Sequence, residues 1–197
     1  MPLAPAANPD ESAGMRVEIV VFDGFDELDA FGPFEVLALA GFDVALVVAG
    51  DPGTVRSMRG IEMAVPRVLG RPDGVVVAGG GWMNRAERGS WAEARRGLLP
   101  ARLAEVAGGG DVRWMASVCT GAMLLAEAGL LSGRTATTNR GAYDELRAYD
   151  VTVLEQRVVD DGDRITAGAL SAGIDLGLWI TEREMGAARK AAVAAAI

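Results

Sequence analysis

Arg113-Trp114-Met115-Ala116-Ser117-Val118-Cys119-Thr120-Gly121-Ala122-Met123-Leu124-Leu125 decides the reading of this chain. An apolar run from Val112 to Val118 leads into cysteine, threonine and glycine, and a helix-like run follows from Ala122 to Leu131. A strand, a tight turn and a helix would put the sulfur at a helix N-terminus, where unpaired N–H groups and the helix dipole favour a thiolate. An elbow of this kind exposes its nucleophile above the C-terminal edge of a sheet, as the analogous serine elbow does. Ligand sites of open α/β sheets lie at that same edge. Cys119 is the only cysteine, and the chain has no histidine. Proton transfer at this sulfur must therefore use a carboxylate, a water or a backbone group. A lone cysteine is more often packing than chemistry; the Thr120-Gly121 turn is what favours chemistry here.

Outward from the elbow, apolar strands alternate with helical stretches. Val17 to Phe22, Val44 to Val48, Val75 to Ala78 and Arg113 to Val118 are strand candidates, with Ile61 to Val65 a shorter piece near an edge. Phe34, Val36, Leu37 and Leu39 suit a helix ending before Gly41, with Pro33 in its first turn. Trp91 to Ala107 is helical in character though Pro100 interrupts it, Ala142 to Tyr149 looks helical, and Ser171 starts a final helix. Thr135 to Thr138, Val151 to Leu154 and Arg157 to Val159 are short strand candidates, and Asp160 to Asp163 is a hairpin turn before Ile165. Strands that are apolar throughout belong inside a sheet covered on both faces. The reading is an α/β three-layer sandwich with a mostly parallel central sheet, a single domain over residues 16–197. Residues 1–15, with Pro2, Pro5 and Pro9, read as a disordered leader.

Composition narrows the partners. Twenty-seven acidic residues against 19 basic ones leave a net charge of −8, unsuited to nucleic acid or an anionic membrane surface. One cysteine cannot close an internal disulfide, which suits a reducing, cytoplasmic setting. The usual cysteine and histidine zinc set is absent, and no metal or cofactor is expected. No apolar run approaches the roughly 20 residues of a membrane-spanning helix.

Two further places bear on the chemistry. Gly79-Gly80-Gly81 follows a strand, and glycine clusters usually mark only a flexible connection. Here the Gly80 N–H could face the Thr120 N–H as an oxyanion or anion hole. Asp26, Glu27 and Asp29 form an acidic cluster, most often a solvated loop. Asp29, however, stands between Leu28 and Ala30-Phe31, and a carboxylate buried there needs a partner.

These places together resemble the ThiJ/PfpI superfamily, of flavodoxin-like, class I glutamine amidotransferase-like fold. The resemblance runs from Arg16 to Gly186 and rests on Phe22 to Val36, Ser117 to Ala122, Leu131 to Thr138 and Ser171 to Leu176. Leu28-Asp29 followed by Phe31-Gly32-Pro33, with the Cys119-Thr120-Gly121 elbow, is most similar to the isonitrile hydratase branch. The resemblance implies a lyase hydrating a small isonitrile to an N-substituted formamide. Cys119 would be nucleophile, Asp29 acid and base, Thr120 the residue after the elbow and Gly80 the opposing amide donor. Gly81 and Asn139 are candidates for the substrate pocket. It also implies a homodimer, and the same branch resembles sensor halves of AraC-type regulators, whose helix-turn-helix extension this chain is not expected to carry. Where the family commonly has histidine and tryptophan, this chain has Asn139 and Arg140. That argues against peptide hydrolysis and leaves a Cys–Asp mechanism. An oxidant- or electrophile-sensing protein and a glyoxalase or deglycase on 2-oxoaldehydes are the other readings. The pair is expected to share one proton, held on the carboxyl, with the sulfur as thiolate.

Overall fold

The computed structural model describes residues 14–197. Its centre is a six-stranded sheet in the order β2 (Asp43–Val47), β1 (Arg16–Val20), β5 (Gly74–Val77), β6 (Trp114–Val118), β10 (Arg164–Ala167) and β9 (Val158–Asp160). All neighbours are parallel except β9, which joins β10 antiparallel at one edge. Every residue of β5 and β6 is buried, as strands covered on both faces require. Glu18 of β1 is buried too, and is met by the Gly70 N–H at 2.6 Å and by Arg16 at 3.5 Å.

Helices cover both faces, completing a three-layer α/β architecture. On one side α1 (Glu27–Ala40) packs on α6 (Ala172–Met185) and α7 (Ala187–Ala194). On the other, α4 (Gly121–Glu127) packs on α2 (Ser90–Arg96) and α3 (Leu98–Gly108). The chain turns one way from β1 to β2 and the other way to β5, so the switch point falls between β1 and β5. The loops after β1, β5, β6 and β10 therefore open at one edge of the sheet.

Four local expectations change. Helix α1 begins at Glu27, so Pro33 lies inside it and not in its first turn. The Asp26 side chain caps it by accepting the Leu28 N–H at 3.1 Å, and Glu27 and Asp29 fill the first turn, where the dipole favours acids. The segment ending at Val65 is β4 (Glu62–Val65), paired antiparallel with β3 (Gly53–Arg56) in a hairpin outside the main sheet. The piece at Thr135 is β7 (Thr135–Ala136), paired with β8 (Thr152–Val153) in a separate ribbon, followed by the short helix α5 (Tyr143–Arg147). The helix after Ser171 is broken at Gly186, whose φ of 88° ends α6 before α7. The expected leader, up to residue 13, lies outside the described residues.

Candidate functional site

Three neighbouring parallel strands end in the three places singled out in the sequence. Strand β1 leads to Asp29 in the first turn of α1, β5 leads to Gly79 and Gly80, and β6 leads to Cys119. Strand β10, next to β6, adds the loop carrying Leu170. Because the strands are in register, these loops converge without any long excursion of the chain.

Cys119 occupies a strained elbow, with φ of 54° at a non-glycine residue. Its own N–H donates to Ala167 O and Gly168 O, at 3.1 and 2.8 Å, and its carbonyl accepts the Thr138 hydroxyl at 2.8 Å. The backbone is thus held from both sides while the side chain is 5% exposed. Asn139 Nδ2 donates to the sulfur at 3.4 Å. Asn139 Oδ1 accepts the Gly141 N–H at 2.9 Å, and this leaves the NH₂ end of the amide for the sulfur. Asn139 is therefore a donor to the thiol, a role its type alone did not announce. Arg140 beside it is exposed.

Asp29 is fully buried. One carboxyl oxygen accepts the Gly79 N–H at 3.2 Å and the other accepts the Leu170 N–H at 3.1 Å. Its remaining neighbour is the Cys119 thiol. Burial, reinforced by the charge of Asp26, raises the Asp29 carboxyl to about 7. Burial and the facing Asp29 push the Cys119 thiol up to about 12, against donation from Asn139 and the Thr120 N–H. Two anions do not coexist cheaply here, so the pair gives up its first proton near pH 7 and keeps the second to about pH 12. The expectation of a resting thiolate does not hold: α4 has only seven residues, and loss of water around the sulfur outweighs its helix end.

Gly79 makes this contact possible. A Cβ there would lie 2.5 Å from Thr120 N and 2.9 Å from Asp29 Oδ2, so only glycine lets the loop after β5 pass between acid and elbow. Gly80 does not serve as the sequence suggests. Its N–H donates to Thr120 Oγ1 at 2.9 Å, while the Ser90 hydroxyl donates to Gly80 O at 2.7 Å. With the Ser90 hydrogen so directed, the Thr120 hydroxyl donates to Ser90 Oγ at 2.9 Å. This closed ring ties the glycine loop to the elbow and α2, and it occupies the amide proposed for an oxyanion hole. The Thr120 N–H remains at the sulfur.

Gly81 lines a cleft of about 440 Å³ with Ser57, Met58, Arg59 and Arg88, whereas Cys119 and Asn139 do not reach it. The two pocket candidates are thus separated, Gly81 on the cleft wall and Asn139 on the sulfur. Sequence reasoning passed over Leu170, Ser90 and Arg59, and gave Gly79 no part beyond its place in the glycine run. A positive φ at Leu170 (52°) has no sequence signature, and the others act through partners distant in the chain. Among the described residues no cluster of three or more histidine, cysteine or acidic side chains could hold a metal, and no helix is long and apolar enough to cross a membrane.

The fold and site define an α/β protein with a cysteine elbow and a buried acid at the switch point of its sheet. By its sequence the chain belongs to the DJ-1/PfpI family, whose model matches residues 15–183. It is 30% identical over 175 residues to the isonitrile hydratase of Pseudomonas putida, covering 87% of this chain and 73% of that one. It is 29% identical over 192 residues to the Parkinson disease protein 7 homolog of Danio rerio, covering 89% and 92%. The crystal structure of a ThiJ/PfpI family protein from Pseudomonas syringae superposes with a TM-score of 0.80 at 24% identity, covering 96% of this chain and 80% of that one.

Proposed function

We propose that the protein hydrates a small isonitrile to an N-substituted formamide, with Cys119 as nucleophile and Asp29 as acid and base. The observation that carries this is the Asp29 carboxyl: both oxygens accept backbone N–H groups, and the side chain that hydrogen-bonds it is Cys119. In the singly protonated pair, the thiolate–acid form supplies both reactants. Sulfur attacks the terminal isonitrile carbon and Asp29 protonates that carbon, giving a thioimidate. Asp29, now a carboxylate, takes a proton from water as its oxygen adds to the same carbon. Asp29 passes that proton to the substrate nitrogen, the C–S bond breaks as Asp29 takes the hydroxyl proton, and the formamide leaves with the thiolate–acid pair restored. The balance is one isonitrile and one water to one formamide.

No oxyanion forms in the first step, so the occupied Gly80 N–H is no obstacle. Amide or ester hydrolysis would need that donor from the outset. The similarity to the isonitrile hydratase supports the choice of substrate class. The test is to supply a short alkyl isonitrile to wild type and to Cys119→Ala and to follow formamide. Turnover by wild type and none by the variant is expected. Wild-type turnover in Cys119→Ala would remove the assignment. If methylglyoxal gives lactate while isonitriles stay intact, the glyoxalase reading replaces this one. Peroxide oxidation of Cys119 with neither turnover would replace it by sensing.

A further inference from the structure

The site has an outer partner that the proposed reaction does not use, at the tip of the β3–β4 hairpin. Arg59 Nη1 meets Asp26 Oδ2 at 2.9 Å and Glu27 Oε2 at 2.8 Å, and the Arg59 N–H donates to Glu27 Oε1 at 2.9 Å. Ser57, itself buried, donates its hydroxyl to Glu27, and the Met58 N–H donates to Phe25 O at 2.8 Å. These bonds fasten the hairpin tip to the start of α1. Asp26 in turn is buried and touches the site in two ways. It precedes Asp29 by three residues, on the same side of the first helical turn. Its N–H donates to Gly79 O at 2.8 Å, and the N–H of that same Gly79 donates to Asp29 Oδ2.

We infer that Arg59 is a positioning residue for the acid: by balancing Asp26, it sets the pH at which Asp29 gives up its proton. The inference rests on Asp29 acting as acid beside Cys119. An ionised Asp26 opposes a second negative charge at Asp29, and the guanidinium beyond it offsets that opposition. On α1 the facing group is Asp26, since Glu27 is turned to Ser57 and Arg59; at the elbow it is Cys119. The loops after β5 and β10 present only the N–H groups of Gly79 and Leu170. On α6, the acid of the first turn, Asp175, is paired with Arg157.

The two partners predict shifts of opposite sign. The readout is the rate of Cys119 alkylation by iodoacetamide against pH in the full chain, which requires no turnover. Wild type should show a lower limb near the Asp29 value of about 7, absent from Asp29→Asn. Arg59→Gln leaves Asp26 unbalanced and should move that limb up by about one pH unit, whereas Asp26→Asn should move it down by about as much. Asn at position 26 still caps the helix, and Arg59 is largely exposed, so both variants keep the fold. Arg59→Lys keeps the charge and should leave the limb near its wild-type position. A limb that neither variant moves, or that both move the same way as a loosened site would, overturns the role of Arg59 while leaving Asp29 as the acid. A wild-type profile identical to that of Asp29→Asn overturns both.

Discussion

Replacing Asp29 by asparagine separates the electrostatics of the site from its chemistry. The carboxyl is fully buried and raised from 3.8 to about 7, chiefly by loss of water and then by the charge of Asp26. A folded-state value above the unfolded one means that the folded chain holds this proton to higher pH. Asp29 is therefore most tolerable below about pH 4, and stability is lost as the pH rises toward 7. Three units at about 1.4 kcal/mol each make the full loss about 4 kcal/mol, of which about 2–3 kcal/mol falls between about pH 5 and 8. Asparagine does not titrate, so that slope disappears. It brings a penalty of its own, because both Asp29 oxygens accept N–H groups and one would become an NH₂ facing Gly79 or Leu170. An unsatisfied buried donor costs about 1–3 kcal/mol at any pH. Urea unfolding of the two proteins should thus find nearly equal stability near pH 5 and the variant ahead by about 1–3 kcal/mol near pH 8. Turnover should be lost throughout. A stability difference that stays flat with pH would refute the raised proton affinity, and with it the shared proton on which the chemistry depends.

Asn139→Ala removes the side-chain donor to the sulfur and should slow Cys119 alkylation near neutral pH by about tenfold, the effect of one hydrogen bond to a developing thiolate; an unchanged rate would exclude Asn139 from tuning the nucleophile. Gly79→Ala puts a methyl group against Thr120 N and Asp29 Oδ2, and should destabilise the fold by about 1–3 kcal/mol, measured by urea unfolding, and abolish turnover. Wild-type stability and activity in that variant would mean that the loop after β5 does not wedge between acid and elbow.

Much of the architecture was legible because burial on both faces forces a strand to be apolar throughout. Gly74–Val77 carries that signature without interruption and Trp114–Val118 carries it but for Ser117, and both lie in the middle of the sheet. The start of α1 was misread because Pro33 is a familiar first-turn residue, and its position outweighed Asp26, the residue that caps the helix. The short ribbons at Thr135 and Gly53 were blurred for another reason: two- and four-residue strands are defined by their partners more than by their own pattern. At the site, Cys119, Asp29 and Thr120 could be picked out because each stands in a local context unusual for its type. Asn139 was picked out only as a departure, since an amide signals no chemistry until its orientation is known. Gly80 was assigned an open N–H that Thr120 takes up.

The sequence by itself determined a parallel α/β sheet and a cysteine at a strand–helix turn, and the absence of histidine left a carboxylate as its side-chain acid and base. Those are properties of local pattern and composition, which the chain carries wherever it folds. Only the tertiary structure decided where the proton sits. Whether Cys119 rests as thiol or thiolate depends on how much water is removed from it and what charge faces it. Both are set by residues 50 to 141 positions apart that meet only when the ends of β1, β5, β6 and β10 are brought together.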